Sequence, residues 1–560
     1  MSDAWYVTNP PVSDAERGGI SENRLSDRSS RSILIVLIAT GTILRLWGVR
    51  FGLPNPYARP DEEVIVDVAL GFFRDLNPHF FDWPTLFMYA TAALYAVLFA
   101  FQRAIGGAVT GAAVAKASLE PILYLMPRLL SVAAGVLTIP VLYGTARELF
   151  SRRVAIVAAA FLTVAFLHVR DSHFGVTDVS MTFLTLSAFW AGVRCATKGA
   201  TPARAAVAGL LCGLAASTKY NAALIVLPAT AAILRRTLWE QPRSPRAAVR
   251  AIAALLSCAV VAFVAGTPFA LLDHRAFWAA VTSVRGHLAS GHVVMARGWV
   301  YHAVFTFRYG LGVPLTIAAL LGAGWLAVSD RWKALLVLVF PVAYYAVLGS
   351  GLTVFVRYMM PIVPFLCLTA ALLIDRVAES ARARFKLGAA GEAACVVVLA
   401  VIVAAPTAKA TVGFNRLITE RDTRVIGENW VASRFPGGAS IYQSGYGYTH
   451  VFPRPLERYT YYGFNESLSR FQTRGGAAIE RPDLVVLPES LLGTYTQVPP
   501  AIRALVESDY VLADTVEGAS AATAPDAVYD QDDAFFAPLS GIEQVRRPGP
   551  TLNIYERKRR

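Results

Sequence analysis

Five short stretches of this chain put chargeable side chains among apolar neighbours. Arg59-Pro60-Asp61-Glu62-Glu63 sets three acids in a row behind an arginine and a proline. Asn77 to Pro84 (NPHFFDWP) carries Asp82, and Arg170 to Asp178 (RDSHFGVTD) carries His173 and Asp178. Lys219-Tyr220 stands at a break between two short apolar segments, and Arg357-Tyr358 precedes MMPIVPF. Carboxylates can accept a proton from a hydroxyl. A guanidinium or ammonium can hold an anion such as phosphate. Histidines with carboxylates can hold a divalent metal.

Each element also has a plain structural reading. Pro60 suits a first helical position, and acids in a first turn gain about 0.3–1 kcal/mol from the helix dipole. Consecutive helical residues point about 100° apart, so three adjacent acids cannot share one orientation. Val64, Ile65 and Val68 supply an apolar face, which leaves at least one acid to look into the protein or along a cleft. Asp178 could cap the helix that begins VSMTFLTL. Lys219 could snorkel from its helix end, and Arg357 could mark the membrane interface.

The scaffold that must position these groups is set by composition. The chain has 560 residues, 55% hydrophobic and only 16% charged, with a mean hydropathy of +0.47. Apolar runs long enough to cross a bilayer recur between Ser32 and Pro406. This pattern predicts a polytopic α-helical membrane protein. SILIVLIATGTILRLW follows about thirty polar residues and precedes no small-residue cleavage site, so it reads as a retained helix. The net charge of +13 sits largely in short loops (ELFSRR, LRRTLWEQPRSPRAAVR, SDRWK, DRVAESARARFK). That distribution is a topology signal and argues against nucleic-acid binding. Cys195, Cys212, Cys258, Cys367 and Cys395 show no spacing that suggests a disulfide framework or a metal site.

With Arg17, Arg24, Arg28 and Arg31 inside, the first helix leads outwards. Spans are then expected near 126–147, 153–170, 178–196, 203–218, 220–234, 247–270, 303–327, 332–349, 353–374 and 389–409, about eleven in all. A crossing by residues 84–104 would throw the strongest basic clusters outside. That segment is therefore expected to lie in a long outer loop, 51–125, without spanning. Residues 1–32 form an inner tail, 33–410 the membrane domain, and 411–560 an outer C-terminal α/β domain. ASIYQ, PDLVVLP and LNIYE read as its strands, and the Asp/Ala-rich stretch 513–534 as a mobile loop. The five polar stretches and all eight histidines then face one side. Intramembrane and juxtamembrane polar clusters are functional sites by default. His274, His287, His292 and His302 are expected in one long outer loop covering the cleft.

At these residues the chain resembles the protein O-mannosyltransferase and aminoarabinose-transferase group of integral membrane glycosyltransferases, which share the GT-C fold. The resemblance rests on Asp61-Glu62 and FFDWPTLFMY after the first helix, then RLLSVAAGVLTIPVLYGTARELFSRRVAIVAAAFL. It continues through the H-x4-D element from His173 to Asp178, GLAASTKYNAALIVLP and RYMMPIVPF, and covers roughly 33–375. It implies transfer of one sugar from a polyprenyl-phosphate carrier to an acceptor hydroxyl on the extracytoplasmic face of a bacterial plasma membrane. Asp61 would be the catalytic base, with Glu62 as its catalytic partner. Arg357, Lys219 and Tyr358 would hold the donor phosphate. Asp178, His173, Arg59 and Asp82 would orient sugar or acceptor, which could be a glycan, a lipid or a protein. Direct displacement implies inversion. A phosphate monoester is already a good leaving group, so no cofactor is required, although a divalent metal could be accommodated. No H-x3-H or D-x-D stands beside the acid pair, and without D-x-D or WWD-type elements an oligosaccharyltransferase is disfavoured. A polyprenyl-linked sugar transporter or flippase is the main rival, but it would mass polar groups mid-membrane and show repeats. A non-catalytic envelope glycan-binding protein would not need so many spans.

Overall fold

The computed structural model describes residues 27–106, 112–240, 242–291, 295–452 and 456–558. Arg17, Arg24 and His292 lie outside the described residues. Among those described, nine helices are long and apolar enough to cross a membrane. They include Asp27–Leu46, Thr177–Lys198, Pro245–Gly266, Arg331–Leu348 and Val356–Phe385. The chain is a polytopic helical membrane protein, as its composition predicts.

The elements differ from the expected spans where the backbone breaks. The span expected at 153–170 is two helices, Arg152–Val164 and Phe166–Asp171, parted by the extended backbone of Ala165. The one expected at 303–327 is interrupted at Leu311–Gly312, where Gly312 takes a positive φ before the Val313–Ser329 helix. Leu86–Ala104, expected not to cross, has the length and hydropathy of a span. It buries Phe87, Met88 and Tyr95 against Ile65, Val66 and Leu70 of the Glu62–Gly71 helix. The Tyr95 hydroxyl donates to the Leu123 carbonyl at 2.6 Å, so this helical unit is closed on the Ala112–Leu149 helix.

Close helix packing explains the small residues. Gly209 and Gly213 of Pro202–Ala216 meet the Leu255 and Ala259 carbonyls of Pro245–Gly266 so closely that a Cβ at either would lie 2.1 Å from the facing oxygen. A small-xxx-small face of this kind lets membrane helices approach where apolar burial alone gives no drive.

Ala389–Thr419 has 31 residues. At 1.5 Å per residue it is roughly 46 Å long, against about 30 Å of hydrocarbon, so it carries the chain out of the membrane domain. The C-terminal domain follows as a seven-stranded sheet of order β4-β3-β2-β1-β5-β7-β6. The strands are β1 Ser440–Gln443, β2 Thr460–Asn465, β3 Arg470–Gln472, β4 Ala478–Ile479, β5 Leu484–Glu489, β6 Tyr510–Val516 and β7 Thr551–Arg557. β1 pairs in parallel with β2 on one side and β5 on the other, and the remaining pairs are antiparallel. Alternation along the strands fills both faces: Ile441, Val486 and Ile554 pack with Val431, and Tyr442, Val485 and Leu487 pack with Ile502 and Val506. The strands expected from ASIYQ, PDLVVLP and LNIYE are β1, β5 and β7.

Two expected loops are something else. The histidine-bearing stretch folds as the helix His274–Ser290 followed by Gly298–Tyr301, with His302 buried on the Thr306 hydroxyl. The stretch expected to be a mobile loop, 513–534, starts as β6 and ends enclosed against the membrane domain. Asp530, Asp532, Asp533, Phe535 and Phe536 are all buried. Composition misleads here because the acids find arginines and backbone N–H groups, not water.

Candidate functional site

Asp61 stands at the N-cap of Glu62–Gly71 with φ 74°, yet its side chain makes no capping bond. An acid tolerates this left-handed backbone better than most residues do. The carboxylate instead reaches the Arg357 guanidinium, Oδ2 to Nη2 at 2.7 Å. Asp178 does not cap either: its helix starts at Thr177, and its Oδ1 accepts from the Lys219 ammonium at 2.6 Å. Lys219 is therefore turned inwards and not snorkelling. Its ammonium also lies 5.2 Å from the centre of the Tyr358 ring. These contacts bring Asp61, Arg357, Tyr358, Lys219 and Asp178 into one cluster.

The surrounding loops lock the lysine break in place. Tyr220 donates its hydroxyl to the Phe81 carbonyl at 2.9 Å, and Leu86 N–H bonds to the Ser217 carbonyl. Asp82, beside Phe81, is exposed and makes no contact with the cluster. Partial burial raises its carboxyl, against the pull of nearby His287. It sits at the rim.

Three expected site residues are enclosed. Glu62 is wholly buried: Arg128 Nη2 donates to its Oε2 at 2.7 Å, and Gly175 N–H donates to its Oε1 at 2.7 Å. Arg128 also donates to the carbonyls of Val49 and Phe51, so Glu62 ties three segments together and meets no solvent. His173 is buried with its ring nitrogens on the carbonyls of Val169 and Trp47 at 2.9 and 3.0 Å. Arg59 is buried beneath Asp533, Nη1 to Oδ1 at 2.8 Å, with its guanidinium 4.6 Å from the Phe174 ring centre. The catalytic role expected of Glu62 and the orienting roles expected of His173 and Arg59 find no open path to a ligand here.

Sequence reasoning missed the third party at this site, the C-terminal segment Asp530-Gln531-Asp532-Asp533. Asp533 offers its second oxygen to Arg357 at 3.3 Å, so one carboxylate bridges Arg59 and Arg357. Burial pushes the Asp533 carboxyl up, but Arg59 and then Arg357 outweigh that and hold it below the usual carboxylate range. Asp532 and Asp530 accept the N–H groups of Val354 and Val356 at 2.8 and 2.9 Å. In extended chain, residues two apart point their N–H groups the same way, so two acids spaced by two match them. The segment that leads into Arg357 is thus held by the C-terminal domain. Phe535 covers Arg59 and Arg170, and Phe536 covers Arg424. The signal was present, and the expectation that the chain lacks a D-x-D is corrected here: Asp530 to Asp532 is one, followed by paired phenylalanines. Among the described residues, no group of three or more His, Cys, Asp or Glu is arranged to hold a metal ion; the three acids of this segment are held by protein partners.

A separate cavity of about 1530 Å³ lies at the other end of the helices, lined by Ile33, Leu37, Val397 and Val401 with Arg147 and Arg152. It contains none of the clustered residues.

Fold and site define a polytopic helical membrane protein with a strand-containing C-terminal domain, its polar cluster made jointly by membrane loops and that domain. Residues 124–284, less than a third of the chain, match the family model for dolichyl-phosphate-mannose-protein mannosyltransferase. This bears out the resemblance carried by the sequence motifs. Among solved structures, the chain is similar to the apo oligosaccharyltransferase of Archaeoglobus fulgidus, with TM-score 0.47 and 14% identity over 73% of this chain and 59% of that one. It is similar to apo ArnT from Cupriavidus metallidurans, with TM-score 0.46 and 18% identity over 72% of this chain and 73% of that one. A third is the arabinofuranosyltransferase AftD from mycobacteria, with TM-score 0.46 and 15% identity over 95% of this chain and 42% of that one. No curated protein matches the chain significantly.

Proposed function

We propose that the protein is a glycosyltransferase that moves a single sugar from a polyprenyl-phosphate carrier to an acceptor hydroxyl outside the membrane. The observation that carries this reading is the pairing of Asp61 with Arg357. An acid at a helix start declines its capping bond and meets, at 2.7 Å, a guanidinium that lies next to a second cation-bearing pair. The Asp61 side chain is 26% exposed, whereas that of Glu62 is fully enclosed, so Asp61 is the acid an acceptor can reach.

Arg357 and Lys219, with Tyr358 between them, bind the donor phosphate. Phosphate oxygens compete with Asp61 for the Arg357 fork. Donor binding thereby loosens Asp61 from its counter-charge and leaves it free to take the acceptor proton. The acceptor oxygen attacks the anomeric carbon, the bond to the phosphate oxygen breaks, and the lipid phosphate leaves on Arg357 and Lys219. Direct displacement inverts the anomeric centre. The two side-chain cations meet the leaving charge, so the reaction proceeds without an added metal. Asp178 orients Lys219 and Asp82 borders the entrance. Glu62, His173, Arg59 and Asp533 are positioning residues. The active site faces the extracytoplasmic side of a bacterial plasma membrane, with 1–32 inside, 33–410 in the membrane and 411–560 outside.

The test supplies membranes with a panel of radiolabelled polyprenyl-phosphate sugars and follows the label. Transfer by wild type, and its loss in folded Asp61→Asn and Arg357→Ala, is expected. Wild-type transfer by both variants would overturn the assignment.

A further inference from the structure

The C-terminal domain carries a groove of about 690 Å³ on the face of the sheet covered by the Pro500–Asp509 helix. It is walled by Glu489, Gln497, Arg503, Asn553 and Tyr555. It lies on the antiparallel pair β5–β7, where Leu487 stands opposite Asn553 and Glu489 opposite Thr551. Glu489 is the last residue of β5, and the segment that follows it forms the groove wall.

The side chains suit one kind of ligand. Glu489, Gln497 and Arg503 are exposed, and among the described residues their side chains make no hydrogen bond. Asn553 accepts from Thr515 through Oδ1, which leaves its amide nitrogen for a ligand. Tyr555 is half-buried, packed at its base on the cluster of Val485, Leu487 and Ile502, and borders the cavity. An apolar ring amid several convergent donors and acceptors of both signs matches a saccharide, with C–H faces and vicinal hydroxyls. The volume falls in the range of about 300–1,000 Å³ common to ligand sites. The wall also reaches the transfer site. Tyr495, in the same loop as Gly493 and Gln497, donates its hydroxyl to the Asp532 carbonyl at 2.8 Å.

We propose that this groove is a glycan-binding subsite that holds a distal part of a saccharide acceptor while its growing end lies at Asp61. The subsite rests on the glycosyltransferase reading for its role, and it names the acceptor class as a glycan, not a peptide or a simple lipid.

The test is calorimetric titration of the full-length protein in detergent with three probes: mannotetraose, an arabinofuranosyl tetrasaccharide and a serine/threonine peptide. One of the saccharides is expected to bind and the peptide is not. Glu489→Gln and Arg503→Ala, both at exposed positions, are each expected to weaken saccharide binding about tenfold, the scale of one charged hydrogen bond. The same variants should raise the acceptor KM in the transfer assay. Absence of binding by both saccharides, equal binding by the variants, or peptide binding in the groove would overturn the subsite. Asp61→Asn should bind the saccharide as wild type does. Binding without transfer from any donor would sink the enzymatic reading alone; transfer with a silent groove would sink the subsite alone.

Discussion

Asp61 and Arg357, 296 positions apart, meet carboxylate to guanidinium at 2.7 Å. On its other side Arg357 meets Asp533, and Asp533 in turn meets Arg59. This pair is therefore the more exposed end of a chain of alternating charges whose buried links are Asp533 of the C-terminal domain and Arg59. Removing one link at different depths should do different things.

At the exposed end, the consequence is catalytic. Asp61→Asn keeps the size of the side chain and removes the base. Transfer is expected to fall by about 10²–10⁴-fold, the usual worth of a positioned base. Arg357→Lys keeps charge but loses the fork, and should raise the donor KM. Initial rates against donor and acceptor concentration separate the two; an Asp61→Asn enzyme at full rate would remove Asp61 from the mechanism.

At the buried end, the consequence is structural. Asp533→Ala leaves Arg59 enclosed without its carboxylate, and Glu62→Ala does the same to Arg128. Breaking one side of a buried pair costs about 3–5 kcal/mol. Both variants should lower the midpoint of thermal unfolding in detergent, whereas Asp61→Asn, at a partly exposed position, should leave it nearly unchanged. A Glu62→Ala protein with wild-type stability and no activity would instead return Glu62 to the chemistry.

Glu63 makes stability depend on pH. Burial raises its carboxyl to about 7, although the Tyr448 hydroxyl bonded to it at 2.6 Å pulls the other way. Its folded form thus holds a proton that the unfolded chain releases near 4.3. Stability from this group is complete below the unfolded value and is lost as pH rises towards 7. Asp530, raised by burial and by the charge of Asp533, contributes with the same sign. Unfolding midpoints measured from pH 4 to 8 should decline over that window, and Glu63→Gln should flatten the decline. An unchanged profile in Glu63→Gln would show that Glu63 does not titrate there.

Topology has its own check. Ser151, between Phe150 and the Arg152–Val164 helix, is exposed and lies among the basic clusters assigned to the inner side. Ser151→Cys in sealed cells should resist an impermeant thiol reagent and react once the membrane is opened. Labelling from outside would overturn the inner placement of these loops.

The membrane architecture, the strand-and-helix C-terminal domain and most of the polar cluster were legible along the chain. They rest on local signals: runs of apolar residues and alternation. Asp61, Asp178, Lys219 and Arg357 stood out because charge beside apolar sequence is costly without a reason. What could not be read was which neighbours each charge would find. Asp61 and Glu62 are adjacent and chemically alike, yet Asp61 stands at a left-handed N-cap and meets Arg357, while Glu62, the first helical residue, enters a closed pocket with Arg128 and Gly175. The Asp530–Asp533 segment carried the composition of a mobile loop. Only the folded chain brings it to the N–H groups of Val354 and Val356 and to Arg59, where low solvent access makes each contact strong. Sequence by itself determined the kinds of groups and the helices that carry them; tertiary structure decided which acid is open and which ones hold it in place, because burial and partner charge are properties of contacts between segments hundreds of residues apart.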